Sequence, residues 1–236
     1  IQANTLGSAN ILESTRINKI KHLVYITSDK CYLNNEKKGG YSEKDILGGY
    51  DNYSSSKAAA EIIFNSYYHS FFRNKKLKYA TARAGNVIGG GDMKKNRIIP
   101  DVIKALHNNR AINLRSPMST RPWQHVLEPV FGYLRLAECL SLDPSEYSEG
   151  WNFGPNQDDA KSVKWIVEKL LDIWGLENGW ELDKNFNPHE ANLLMYVPTL
   201  RFPTWHFCSF CRKMDRSKPR WSRSRMAIKC TLRLAS

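Results

Sequence analysis

Tyr53 and Lys57 stand four residues apart in the stretch Tyr53-Ser54-Ser55-Ser56-Lys57. On a helix that spacing puts both side chains on one face, about one turn from each other. A phenol beside an ammonium can work as an acid/base unit, because the positive charge favours the phenolate form. Two such charges about 4 Å apart interact by roughly 4 kcal/mol at an effective dielectric of about 20. Upstream, Thr27-Ser28-Asp29-Lys30-Cys31-Tyr32 offers hydroxyl, carboxylate and amine groups in succession. Taken alone, Tyr-x-x-x-Lys is weak, and a surface lysine lying over a tyrosine is an equal alternative.

The elements that must carry these residues favour the chemical reading. Leu23 to Ile26 is an apolar run that ends abruptly in polar residues, as a strand does at its end. After a Gly-rich connection, Asp51-Asn52 precede Ala58-Ala59-Ala60-Glu61-Ile62-Ile63-Phe64, good helix formers with an apolar face. Strand, turn and helix together bring a hydroxyl, a carboxylate, a phenol and an amine to one strand end. Open α/β sheets put their chemistry there.

Four stretches together resemble the extended short-chain dehydrogenase/reductase family, over about residues 1–194. They are Thr27 to Tyr32, Gly48-Gly49-Tyr50-Asp51-Asn52 leading into Tyr53 to Lys57, Arg83-Ala84-Gly85-Asn86-Val87-Ile88-Gly89-Gly90-Gly91-Asp92, and Arg121-Pro122-Trp123-Gln124-His125-Val126-Leu127-Glu128-Pro129. Within that family they are most similar to the branch that dehydrates CDP-glucose. The resemblance implies an α/β fold: the C-terminal part of a Rossmann-like doubly wound parallel sheet, with a smaller α/β sugar-nucleotide-binding domain. The expected division is 1–88 for the remaining half of the NAD-binding domain, 89–194 mainly for the sugar nucleotide, and 195–236 for a basic, atypical tail.

By the same resemblance the cofactor is NAD and the substrate CDP-glucose, converted to a 4-keto-6-deoxy sugar nucleotide. Tyr53 takes the proton of the sugar 4-hydroxyl, Ser28 orients that hydroxyl, and Lys57 holds the nicotinamide ribose. Thr27, Tyr53 and Lys57 are the implied cofactor contacts. Asn86, Arg97 and Arg121 are the implied substrate contacts, arginine being suited to a diphosphate by its planar fork. For Arg97 a surface salt bridge is an equal alternative. Asp29 fits the acid for the departing hydroxyl, which requires a raised pKa. Related dTDP- and GDP-sugar dehydratases have a glutamate base next to it, where this chain has Lys30. Lysine serves as a base only when desolvation or a nearby cation lowers its pKa. An epimerase has no need of the Asp29-Lys30 pair, which favours a dehydratase over an epimerase or reductase of the same fold. A non-catalytic fragment is the other alternative. A homo-oligomer is expected for the full-length protein.

Asn4, Gly7, Asn10, Leu12 and Glu13 resemble the family helix Asn-x-x-Gly-Thr-x-Asn-Leu-Leu-Glu, whose asparagine supports the active-site helix. The family's Gly-x-x-Gly-x-x-Gly turn and the acidic residue for the ribose are not found, so the expectation is a chain without its first dinucleotide-binding half. The run Gly89–Gly91 has the wrong spacing and context to replace it, but would let backbone approach a ligand.

Composition bounds the rest. At 236 residues with 42% hydrophobic and 25% charged content, the chain can bury a substantial core. No apolar run approaches the ~20 residues of a membrane span, and no signal pattern opens the chain, so a cytoplasmic protein without membrane partner is expected. Five cysteines without a disulfide-like framework agree with that. The net charge of +12 invites a nucleic-acid reading, but ten Lys/Arg against the single carboxylate Asp215 lie after residue 194. The pI reports the tail, and no nucleic-acid partner is expected.

Further elements follow from pattern. A helix is predicted over 1–18 with Leu6, Ile11, Leu12 and Ile17 inward, and the Tyr53 helix is predicted to run to about Phe72 with Tyr67, Tyr68, Phe71 and Phe72 as core or subunit contact. Leu77 to Ala84 reads as a strand, and residues 101–106, 132–140 and 162–174 as helices, the last capped by Ser162. Trp151-Asn152-Phe153-Gly154-Pro155 resembles a family turn, and His125 reads as structural. His206, Cys208, Cys211 and Cys230 carry an incomplete zinc spacing, with no metal the favoured reading.

Overall fold

The computed structural model describes residues 1–73, 78–155, 160–176 and 179–183. Leu77 and everything from 184 on, including the four tail residues with zinc-like spacing, lie outside the described residues.

A parallel three-stranded sheet, ordered β1 (His22–Ile26), β2 (Lys78–Ala84), β7 (Gly150–Phe153), organises the first unit. Side chains alternate along β2 as the pleat demands. Ala80 and Ala82 meet Leu136 and Leu140 of α4 (Leu127–Leu142), together with Trp151 and Phe153. Tyr79 points the other way, into a cluster with Leu12 of α1 (Gly7–Ile17) and with Phe64 of α2 (Asn52–Tyr67) and Phe72 beyond it. Both faces of the sheet are therefore covered by helices. The unit that begins with β1 takes in α4 and β7 beyond residue 88.

The smaller unit packs α3 (Ile98–His107) and α6 (Val163–Trp174) around β4 (Ile112–Leu114), which pairs in parallel with β9 (Trp180–Leu182). Two short ladders link the units' ends: β3 (Val87–Ile88) beside β6 (Gln124–His125), and β5 (Thr120–Arg121) antiparallel to β8 (Lys161–Ser162). Ser162 caps α6 by accepting the Trp165 N–H at 3.1 Å. No helix among the described residues is long and apolar enough to cross a membrane.

Two expectations need correction. Of the four residues assigned inward on α1 and the turn before it, only Leu12 is buried, while Leu6, Ile11 and Ile17 are exposed. The buried stripe is Ser8, Leu12 and Thr15. It is polar at two of three positions because Ser8 bonds to Tyr25 of β1 and the Thr15 hydroxyl to the Ile11 carbonyl. Trp151, Asn152 and Phe153 form strand β7 rather than a turn. Gly89 lies against the Val126 side chain, whose Cγ1 would lie 2.8 Å from an added Cβ, so that glycine also serves the junction between β3 and α4.

Candidate active site

β1 ends at Ile26, and Ser28 caps the single turn Asp29–Cys31 that follows by accepting the Lys30 N–H at 3.2 Å. Thr27 is still tied to the sheet, its N–H donating to the Ala82 carbonyl at 2.8 Å. Helix α2 starts against this turn. Asp51 caps it, accepting the N–H groups of Tyr53 and Ser54 at 2.9 Å each and the Ser54 hydroxyl at 2.6 Å. Gly49 makes the approach possible: a Cβ there would fall 2.4 Å from Ser54 Cβ. The loop thus folds tightly over the first turn of the helix, which fixes where Tyr53 leaves the backbone.

On α2 the Lys57 Nζ lies 6.0 Å from the centre of the Tyr53 ring, as their spacing requires. Tyr53 is half exposed, and neither its hydroxyl nor Lys57 Nζ has a hydrogen-bond partner among the described residues. Burial lowers the Lys57 pKa below the ordinary lysine value, opposed in part by the Glu61 carboxylate one turn further along α2. Asn4 steadies the same turn: its Nδ2 donates to Ser56 Oγ at 2.9 Å, and that hydroxyl donates to the Tyr53 carbonyl at 2.8 Å.

Asp29 is 3% exposed. Its Oδ1 accepts the Ser28 hydroxyl at 3.0 Å, while Oδ2 is buried without a hydrogen-bond partner. Burial pushes this carboxyl up to about 6, against the positive charges of Lys30 and Arg121. The same field reaches Tyr133 of α4, whose phenol is pushed up to about 12 by burial and then by Asp29. Lys30 is half-buried and acts electrostatically on Asp51, so it faces the start of α2.

The remaining residues singled out from the sequence divide. Arg121, buried on β5, belongs to the Asp29 surroundings and donates through Nη1 to the Thr120 carbonyl at 2.9 Å. Asn86 is half-buried where β2 gives way to β3, its carbonyl accepting the Gln124 N–H at 3.0 Å. Arg97 is exposed and paired with Asp92 at 2.9 Å. Thr27 spends its hydroxyl on the Glu61 carboxylate beneath the turn. His125 Nδ1 accepts the Leu127 N–H at 3.3 Å at the start of α4. No cluster of three or more metal-ligating side chains occurs among the described residues.

Sequence reasoning missed the polar layer underneath. Glu61 accepts from Arg83 Nε at 3.0 Å and Nη2 at 2.7 Å, and from Thr81 at 2.9 Å. Arg83 Nη1 donates to the Tyr32 hydroxyl at 2.9 Å, which donates to Asn152 Oδ1 at 2.7 Å. One signal was available: Glu61 continues the four-residue stripe of Tyr53 and Lys57 into a helix segment that is otherwise apolar.

Residues 1–148 match the family described as "NAD dependent epimerase/dehydratase family". The chain belongs to it. Among its relatives, the CDP-glucose 4,6-dehydratase of Salmonella typhimurium is 46% identical over 197 residues, covering 81% of this chain and 55% of that protein. The dTDP-D-glucose 4,6-dehydratase of Dictyostelium discoideum is 35% identical over 175 residues, covering 68% and 38%. The chain therefore spans about half or less of the length of these relatives. Solved structures share the fold: the UDP-N-acetylglucosamine 4-epimerase of Methanobrevibacter ruminantium M1 in complex with UDP-N-acetylmuramic acid (TM-score 0.71, 19% identity, 84% of this chain and 61% of that one). So does the dTDP-glucose 4,6-dehydratase of Bacillus anthracis in complex with NAD (TM-score 0.65, 21% identity, 83% and 58%). The Rossmann-like α/β architecture that the resemblance implied is the one found.

Proposed function

We propose that this chain carries the sugar-oxidising and water-eliminating groups of an NAD-dependent sugar-nucleotide 4,6-dehydratase, with CDP-glucose as substrate. The observation that carries this reading is Asp29: a buried carboxyl with a raised pKa and one oxygen without a partner, next to Ser28. An epimerase has no hydroxyl to expel and no use for such a group. The relative at 46% identity is a CDP-glucose 4,6-dehydratase, which supports the choice of nucleotide sugar.

The residues present fit the nicotinamide side of the cofactor. Lys57 Nζ and the Tyr53 hydroxyl are uncommitted side by side at the strand end, which suits a ribose diol and the reacting sugar carbon. The chemistry that NAD supplies when bound is acceptance of a hydride from the sugar and its later return. Tyr53 removes the proton of the sugar 4-hydroxyl as that carbon is oxidised, and Lys57 favours the phenolate this needs. Ser28 donates to the same oxygen, stabilising charge where it develops. Asp29, whose raised pKa of about 6 leaves roughly a tenth of molecules protonated at pH 7, delivers its proton to the departing 6-hydroxyl. Lys30 is the base for the acidified C5 hydrogen. Arg121 neutralises the diphosphate, and Asn86 and Arg97 line the approach to it.

Asp29→Asn and Lys30→Ala test the assignment in the full-length protein. Oxidation at C4 should survive in both, read as reduced nicotinamide in a single turnover, while formation of the 4-keto-6-deoxy product slows by roughly 10²–10⁴-fold. If both variants lose the oxidation as completely as Tyr53→Phe, the elimination role is wrong. Recovery of a 4-epimer instead of a dehydrated product from the unaltered protein would establish the epimerase alternative.

A further inference from the structure

Glu61 and Arg83 form an ion pair with side chains 1% and 5% exposed, and the mechanism above uses neither. Burial works against the Arg83 charge, but its hydrogen bonds to Glu61 outweigh that and keep the guanidinium charged. Stability alone is a poor reason for such a pair, since apolar residues of similar volume are often as stable or more so. Its connections supply a better one. Glu61 lies one helical turn after Lys57 on α2. Its Oε1 accepts from Thr27 Oγ1, immediately before Ser28, and its Oε2 from Thr81 of β2. Arg83, bound to both carboxylate oxygens, reaches in the other direction to Tyr32. Tyr32 follows directly on the Asp29–Cys31 turn, and it is fastened in turn to Asn152 of β7. Both ends of the segment that bears Ser28, Asp29 and Lys30 are thus tied to the helix that bears Tyr53 and Lys57, the Thr27 end by Glu61 itself and the Tyr32 end through the planar fork of Arg83. Apolar packing resists compression but gives no direction. A bidentate arginine–carboxylate pair fixes both distance and orientation.

We propose that Glu61 and Arg83 are positioning residues for the reaction: their pair sets the Ser28–Asp29 turn in register with the Tyr53 helix, so that Ser28 and Tyr53 address one sugar oxygen. This rests on the roles given above to Ser28 and Tyr53.

Four variants of the full-length protein decide it: Arg83→Lys, the apolar pair Glu61→Leu with Arg83→Met, Thr27→Val, and Tyr53→Phe as reference. Melting temperature is read beside kcat and KM. Arg83→Lys keeps the charge and loses the fork, so kcat should fall about 100-fold, the scale of a small misplacement at a reacting centre, with KM little changed. The apolar pair removes the buried charges but leaves the Thr27 and Thr81 hydroxyls without their acceptor, so it should melt somewhat below the unaltered protein, and it should turn over as slowly as Arg83→Lys. A stable apolar pair with kcat restored would show that packing alone suffices, and would overturn the proposal. Should that pair fail to fold, Thr27→Val decides, because it cuts only the tether between Glu61 and the Ser28 end. About a tenfold loss of kcat at an unchanged melting temperature is expected, and an unchanged kcat overturns the proposal. The two levels of inference separate cleanly. Full turnover in Tyr53→Phe removes the functional reading itself, whereas a dead Tyr53→Phe beside a fully active Arg83→Lys removes only the positioning role.

Discussion

In the unit built on β1, β2 and β7, the buried side chains include Glu61, Arg83, Thr81, Asn152 and Asp29. The unit of α3, β4, β9 and α6 instead buries Val102, Leu106, Ile112, Leu114, Ile166, Val167, Leu170 and Leu171. The first interior holds charges and hydrogen bonds in fixed directions beside its apolar clusters, and the other is apolar. Polar groups are worth burying only where every partner is in place, since an unpaired one costs more than it returns. The Glu61–Arg83 layer of the first unit meets that constraint, and Asp29 Oδ2 is an exception to it. None of the groups assigned above to proton transfer lies in the second unit, whose interior is apolar and packed.

The largest expected effect tests the first half of that contrast. Tyr53→Phe removes a hydroxyl that bears on no packing, so the melting temperature should stay where it is. Turnover should fall roughly 10²–10⁴-fold or more. A drop in stability comparable to that of a core substitution would mean that the phenol belongs to the scaffold.

Leu170→Ala tests the other half. This residue is 3% exposed on the inner face of α6, and truncation should cost about 2–5 kcal/mol in stability. Below the melting transition, turnover per folded molecule should change little. If kcat of the folded fraction collapses, the smaller unit shapes the site more directly than its apolar interior indicates.

The same contrast explains what the sequence could reveal. In α6, Ile166, Val167, Leu170 and Leu171 recur at helical spacing behind a serine cap, so both the element and its inward face follow from pattern. Helix α1 hides Ser8 and Thr15 and exposes Ile11 and Ile17, so a hydrophobicity rule selects the wrong face. On its inward side the Ser8 hydroxyl bonds to Tyr25 of β1 and the Thr15 hydroxyl to the Ile11 carbonyl of the helix itself, so these polar side chains are satisfied when buried and a hydrophobicity rule overlooks them. Tyr53, Lys57, Ser28 and Asp29 could be singled out as candidates because their types and local spacing are themselves the signal. Arg83 and Asn152 were not, because each depends on strand register: Arg83 sits opposite Asn152 in the parallel pairing of β2 with β7. A one-residue slip would turn either side chain to the other face.

Asp29 offers a smaller, pH-dependent effect. Its folded pKa of about 6 lies above the 3.8 of an ordinary aspartate because of burial. The folded state therefore binds the proton more tightly than the unfolded one. Stability from this group is fully present below about pH 4 and is lost as pH rises through about 6, by about 3 kcal/mol in all. Asp29→Asn cannot ionise, so it should be more stable than the unaltered protein at pH 7.5 and no more stable at pH 4. Urea unfolding at the two pH values measures this. An advantage of the same size at both would show that the carboxylate is not the source, and that the catalytic unit pays nothing for keeping it buried.

The smallest effect sets two helix caps against each other. Asp51 caps α2 and Ser162 caps α6, each by accepting backbone N–H groups of the first turn. Replacing either by alanine should cost about 1 kcal/mol of stability, since the local physics is the same. The consequences for turnover should differ. The first turn of α2 carries Tyr53, and Asp51 also holds the Ser54 hydroxyl against the loop at Gly49. Loosening it lets the phenol wander, so Asp51→Ala should lower kcat several-fold while leaving KM nearly unchanged. The first turn of α6 carries nothing assigned to the reaction, so Ser162→Ala should leave kcat as it was. Matched unfolding and steady-state measurements on the two variants suffice. If both lower kcat equally at equal loss of stability, turnover simply tracks global stability, and the division between a unit that positions and a unit that packs does not hold.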